Sequence, residues 1–307
     1  MPSATMKSTF HPFQTDDGKL RPIHEKVLAN QPLDLADVTS LYDSKDILAV
    51  GWLANFVRER RHGNRTLAVA SEIVDSSKGT HFAVIGESDK VLRKVEELRA
   101  GHPQAHIAAL TVEQLVTKIG WFKTLKASGA DGLLGDGIEL FASNARQAVW
   151  NTVSTFQQRS EAREAAMAAG LEVPLYLVQR HASAEQQATE LLSFRERAAD
   201  SFAAISYPAD LSTSLDLATT TGMQELKHVA VARLALHNVE HIRGYWQMLG
   251  GKLAQIALRF GASEIDGTSL DADVNPHQRR SELLREIEVA GREPHQVPAK
   301  RVALVQA

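Results

Sequence analysis

The 307-residue chain contains no cysteine. That absence excludes disulfides, thiolate nucleophiles, Cys-ligated zinc and Cys-ligated iron–sulfur clusters in one step. An excess of one charge is lacking too: 34 Lys and Arg stand against 37 Asp and Glu, a net charge of −3. Such a balance gives no electrostatic footprint for nucleic acid or for an anionic membrane surface. The densest basic run, Arg58 to His62, reads as the last turn of a helix, where cations suit the dipole. No apolar run reaches the ~20 residues of a membrane span. Residues 1–26 are polar at their start, carry no signal-like apolar core, and read as a flexible leader. The cytoplasm is the expected location. No Gly-x-Gly-x-x-Gly or Walker sequence follows any expected strand, so nucleotide binding of those kinds has no support.

What is present is an ordinary globular composition, 44% hydrophobic and 23% charged, enough for a sizeable core. Helical patterns run from Pro32 to Tyr42 and from about Ser44 to Arg61, closed by His62-Gly63-Asn64. From Thr66 the rhythm alternates. Strand-like segments at 67–74, 81–86, 106–110, 131–134, 173–178 and 202–206 are separated by helical stretches, which argues for βα units and a parallel sheet. After Thr221 the chain reads as long helices, with a further strand at 263–266 and a last helix from Arg280 to Ala290. The expected fold is α/β: an incomplete or distorted (β/α) barrel of TIM type with about six to seven parallel strands and N- and C-terminal helical covers. A doubly wound open sheet is the alternative. Residues 27–294 form one domain on this reading, with helices over 27–64, βα units over 66–220 and a helical region over 221–294. Residues 295–307 are a tail.

The most specific text lies in that C-terminal region: His237-Asn238-Val239-Glu240-His241-Ile242-Arg243-Gly244-Tyr245-Trp246-Gln247-Met248-Leu249-Gly250, continuing through Asp266-Gly267-Thr268. It resembles the C-terminal signature of the aminofutalosine synthases and their sister enzymes, dehypoxanthine futalosine cyclase and the deazaflavin-forming synthases. Asp46 to Gly51, His62-Gly63, the run from Gly129 through Gly135-Asp136-Gly137-Ile138-Glu139, and Ala290 to Pro294 agree with it in order. The resemblance implies a radical S-adenosylmethionine barrel of menaquinone biosynthesis, in which a Cys-x-x-x-Cys-x-x-Cys loop after the first strand holds a [4Fe–4S] cluster. Here Thr66 to Val74 and Asp75 to Gly79 lead directly into Thr80 to Gly86, so the whole cluster-binding element is missing rather than substituted. At the fifth strand the family's Tyr-Gly-His-x-Glu-Thr reads Val178-Gln179-Arg180-His181-Ala182-Ser183. The [4Fe–4S] cofactor is thereby excluded, while S-adenosylmethionine or nucleoside binding stays open.

Gly135, Gly137, Glu139, Arg180, Asp266 and Thr268 are the expected pocket residues, with Glu139, Asp136 and His181 as acid/base candidates at a barrel mouth. A Gly-rich turn into a helix accounts for the first group equally well, and a plain turn for Asp266-Gly267-Thr268. His237 and His241, four apart on an expected helix, are a weak metal pair. Tyr245, Trp246 and Met248 read as helical core residues. The expected partners are a paralogous radical enzyme or a second copy of the chain, with a small-molecule ligand open and no nucleic acid or membrane span. A pseudoenzyme of the futalosine route and an enzyme doing non-radical lyase or hydrolase chemistry on a chorismate- or nucleoside-derived substrate are the two functional expectations.

Overall fold

The computed structural model describes residues 12–135, 154–178, 182–197, 199–205, 221–271 and 274–307. Three helices lead the chain: α1 (Leu20–Leu28), α2 (Leu35–Asp43) and α3 (Ile47–His62). The Asp34 carboxylate and the Asp37 side chain cap α2 reciprocally, and Asp46 caps α3, whose C-terminus turns at Gly63 with φ 59°. Leu20 and Ile23 of α1 are fully buried, so the second part of the expected leader is instead a docked helix.

Strands β1 (Arg65–Val69) and β2 (Glu72–Ile73) follow, then a single 3₁₀ turn at Ser76–Lys78 and β3 (His81–Ile85). Beyond them come α4 (Ser88–Gly101), β4 (His106–Ala109), α5 (Val112–Leu115), α6 (Trp121–Ala127), α7 (Phe156–Ala168), β5 (Leu175–Val178), α8 (Ala184–Leu192) and β6 (Ala199–Ile205). The chain continues through α9 (Gly222–Ala235), β7 (Val239–Tyr245), α10 (Trp246–Ala257), β8 (Glu264–Asp266), α11 (Pro276–Val289), β9 (Glu293–Gln296) and β10 (Arg301–Gln306).

Every strand pairing is parallel, in a six-stranded sheet β5-β6-β7-β8-β1-β9 and a four-stranded sheet β2-β10-β3-β4. β1–β2 and β9–β10 are two bent strands that run side by side through both sheets, joined at the bend by Val297 N–H to Ala68 O and Glu72 N–H to Lys300 O. On the far side the sheets meet through single bridges from Gly132 to Ala108 and to Glu172. This is the distorted parallel α/β barrel that the sequence implies, covered outside by helices. One core packs α1–α3, α9 and α10 against the larger sheet, and another packs α4–α7 against the smaller one. Gly51 lets α3 press onto the Phe260 ring, into which any Cβ would project.

Two expectations are corrected. The region 221–294 is not continuously helical: β7 interrupts it. Its apolar Val239, Ile242 and Tyr245 recur every third residue, which imitates a helix, while the polar His241 and Arg243 face the barrel interior instead of solvent. The tail expected over 295–307 contains the rest of β9 and all of β10, and Ala303 and Val305 are buried there.

Candidate functional site

The parallel register puts the side chains of three strands in rows across the interior. Arg243 of β7 lies opposite Glu264 of β8, which lies opposite Leu67 of β1; one row further, Tyr245, Asp266 and Val69 align. Arg243 Nε donates to Glu264 Oε1 at 2.6 Å, and Ser201 Oγ of β6 donates to the second oxygen of that carboxylate. Asp266 Oδ1 accepts the Thr268 N–H at 2.9 Å, and Thr268 Oγ1 accepts the Ser71 N–H at 2.9 Å. Glu264, Asp266 and Thr268 are all buried. Burial pushes the Asp266 carboxyl above the usual carboxylate range, opposed by the Arg243 guanidinium.

These groups line a cavity of about 240 Å³, closed on another side by Val297, Pro298, Lys300 and Val302 of the C-terminal strand. A second cavity of about 680 Å³ adjoins it, and the two share His81, His106, Asp200, Ser201, Arg243 and Lys300. The His81 and His106 rings stand 5.5 Å apart across adjacent strands. A regular barrel fills its centre with layers of branched apolar side chains. This one carries an Arg–carboxylate pair, a buried acid and hydroxyls around open space. Such a lining can hold a small polar ligand.

Asp266 and Thr268 thus lie in the cavity wall. Gly135 lines the adjoining cavity with φ 144°, and a Cβ there would run into the Tyr176 ring. Asp136, Gly137, Glu139, Arg180 and His181 lie outside the described residues. His237 and His241 do not form a helical pair: His237 sits in the turn before β7 and His241 within the strand. His241 instead stacks on His62 at the end of α3, ring centroids 4.7 Å apart. Burial, the Arg233 guanidinium and His241 push the His62 imidazole down to about 3. Arg243, Glu264 and Ser201 were missed in the sequence. The i, i+2 pairs His241/Arg243 and Glu264/Asp266 would have shown a polar inner face had β7 been read as a strand.

The residues do not fit the [4Fe–4S] cluster that the family resemblance implies. The chain has no thiolate, and β2 reaches β3 through a seven-residue connection holding only the 3₁₀ turn.

Fold and site together define the class: a parallel α/β barrel of the kind on which radical S-adenosylmethionine enzymes are built. Among solved structures, methylornithine synthase matches 89% of this chain and 97% of its own with TM-score 0.57 at 15% identity. The [FeFe]-hydrogenase maturase HydG from Carboxydothermus hydrogenoformans matches 90% and 79% with TM-score 0.60 at 13% identity. In sequence, the chain is similar to the aminodeoxyfutalosine synthases and carries no cysteine. It is 28% identical to that of Thermus thermophilus over 94% of this chain and 95% of the enzyme, and 24% identical to that of Streptomyces coelicolor over 83% and 84%. The first alignment spans 359 positions, more than this chain possesses, so several dozen of them are gaps here. No family model matches the chain.

Proposed function

We propose that this protein is a cluster-less, radical-inactive relative of aminodeoxyfutalosine synthase that binds a small polar molecule inside the barrel. The observation that carries this reading is the set of buried Glu264, Asp266 and Thr268 and half-buried Arg243 and Ser201 around the 240 Å³ cavity. Charged groups inside a barrel are costly unless paired, and an interior kept both polar and open suits a ligand better than it suits packing. The setting that its relatives suggest is the futalosine route to menaquinone, in the cytoplasm, beside an active paralog or as a homodimer. S-adenosylmethionine and nucleosides of that route are the first ligands to test.

The test is thermal unfolding of the purified protein with S-adenosylmethionine, adenosine, futalosine-type nucleosides and chorismate-derived acids, together with co-purification against the paralog. A ligand-dependent rise in Tm that Arg243→Ala abolishes supports the reading. No shift with any of them, and no paralog retained, refutes it. A second reading, non-radical lyase or hydrolase chemistry on such a substrate, is favoured specifically by the buried Asp266 carboxyl, which burial inclines to keep its proton. Turnover undiminished in Asp266→Asn would eliminate Asp266 as the acid.

A further inference from the structure

The end of α3 and the start of β7 bring His62, Glu240 and His241 together, with one donor atom from each, all within 4.8 Å of one another. His62 Nε2 lies 3.0 Å from the Glu240 backbone carbonyl, which can only accept, so Nε2 carries the ring hydrogen and Nδ1 the lone pair. That bare Nδ1 faces Glu240 Oε1 at 3.6 Å. Two acceptors therefore confront each other. His241 stacks beside them, with its Nδ1 3.1 Å from Ser263 Oγ. In both rings one nitrogen is tied to a protein oxygen. That is how metal-binding histidines are oriented.

We propose that His62, Glu240 and His241 form a site for a divalent transition-metal ion of the zinc class, which fastens the end of α3 to β7. A cation between the two imidazoles and the carboxylate turns the acceptor–acceptor contact into two coordinate bonds. Two imidazoles and one carboxylate select Zn²⁺, Co²⁺ or Ni²⁺ over Mg²⁺ and Ca²⁺, which prefer all-oxygen sets. Arg233 and Arg58 stand close, but they spend their donors on the Gly261, Glu240, Ala262, Gly63 and Arg65 carbonyls and on the Ser263 and Thr66 hydroxyls. Their charge weakens the ion's hold without blocking the ligands. The site lies at the N-terminal ends of β1 and β7, and His241 stands between it and the barrel cavity, whose wall it also lines.

The experiment is titration of the tag-free, chelator-stripped full chain with Co²⁺ followed optically, and with Zn²⁺ by calorimetry. One equivalent per chain is expected, with Zn²⁺ displacing Co²⁺, Mg²⁺ not competing, and Zn²⁺ raising Tm by linkage. Glu240→Gln, at a half-exposed side chain outside the core, is expected to keep the metal-free Tm and to weaken Zn²⁺ binding at least tenfold. His241→Ala is expected to do the same or more. A wild-type chain that takes up no stoichiometric ion, or a Glu240→Gln chain that binds as tightly as wild type, overturns the assignment.

Discussion

If β10 holds β1–β2 and β3 in one sheet, a single charge in that strand should cost a large part of the protein's stability. Ala303 is the position to test. It is 1% exposed, lies opposite Phe82 of β3, and its methyl packs so closely on the backbone that a Cβ on Gly79 would meet it at 2.9 Å. In Ala303→Asp a carboxylate enters an apolar cluster with Phe82, Val84 and Val305. An uncompensated buried charge costs about 3–5 kcal/mol, set against a total of about 5–15 kcal/mol for a folded domain. At roughly 2–4 °C per kcal/mol for a chain of this size, the melting temperature should fall by about 6–20 °C. The control is Arg301→Ser, an exposed position in the same strand, which should stay within about 0.5 kcal/mol of wild type. Thermal unfolding by circular dichroism gives both numbers, and amide exchange over 81–85 reports whether β3 loosens first. Should Ala303→Asp melt within about 2 °C of wild type with β3 still protected, β10 is not the element that unites the sheet.

Three further outcomes follow from buried polar groups. Burial pushes His228 down from 6.5 to about 4, so its folded value lies below its unfolded one. The stability it contributes is complete above about pH 6.5 and lost as pH falls toward 4, about 3 kcal/mol in all; His228→Leu should flatten that acid limb of Tm against pH, and an unchanged limb would contradict it. For Asp266 the sign is reversed, because burial raises its carboxyl above 3.8 and the folded state holds the proton more tightly. Its penalty appears as pH rises past that value, so Asp266→Asn should raise Tm at neutral pH and lose the advantage in acid; a gain independent of pH would contradict it. Arg58→Met should orphan the Ala262, Gly63 and Arg65 carbonyls and destabilise by about 3 kcal/mol or more in denaturant titration, and a loss below about 1 kcal/mol would show that water takes over those acceptors.

The parallel α/β class was legible because the segment from 65 to 134 alternates short β-rich runs with amphipathic helices, a pattern with little competition. The end of α3 was legible for a local reason too, at His62-Gly63-Asn64, where Gly63 turns the chain with φ 59°. β7 was not, because Val239, Ile242 and Tyr245 stand at a helix-like spacing of three, while the interleaved polar His241 and Arg243 line the cavity and hide the pattern of a buried strand. With β7 misread, Arg243 could not be placed opposite Glu264, and the polar interior stayed invisible although Asp266 and Thr268 stood out. The His62–Glu240–His241 grouping depends on 178 residues of separation between α3 and β7, which no local pattern encodes. β10 escaped notice because six residues flanked by Pro298 and polar side chains look like a frayed tail until a partner strand is known.

The missing cluster loop and the C-terminal strand are two sides of one topological constraint. Adjacent parallel strands ordinarily need a crossover of a dozen or more residues to return the chain to its starting level. From β2 to β3 the chain has seven, Val74 to Thr80, and it makes no return at all. Ile73, Val302 and His81 fall in a single row, so β3 begins at the level where β2 ends. The connection only has to step sideways across one intervening strand, about 10 Å at ordinary strand spacing. That intervening strand is β10, whose continuation from β9 lets it lie against β1–β2 below and β3 above. The sheet is therefore joined by residues from the far end of the chain, and those residues, Val297 to Val302, also form one wall of the cavity beside Arg243 and Asp266. A point substitution to cysteine could not build a cluster site here, because the place of the loop that would carry it is taken by a short step over a strand that lines the cavity.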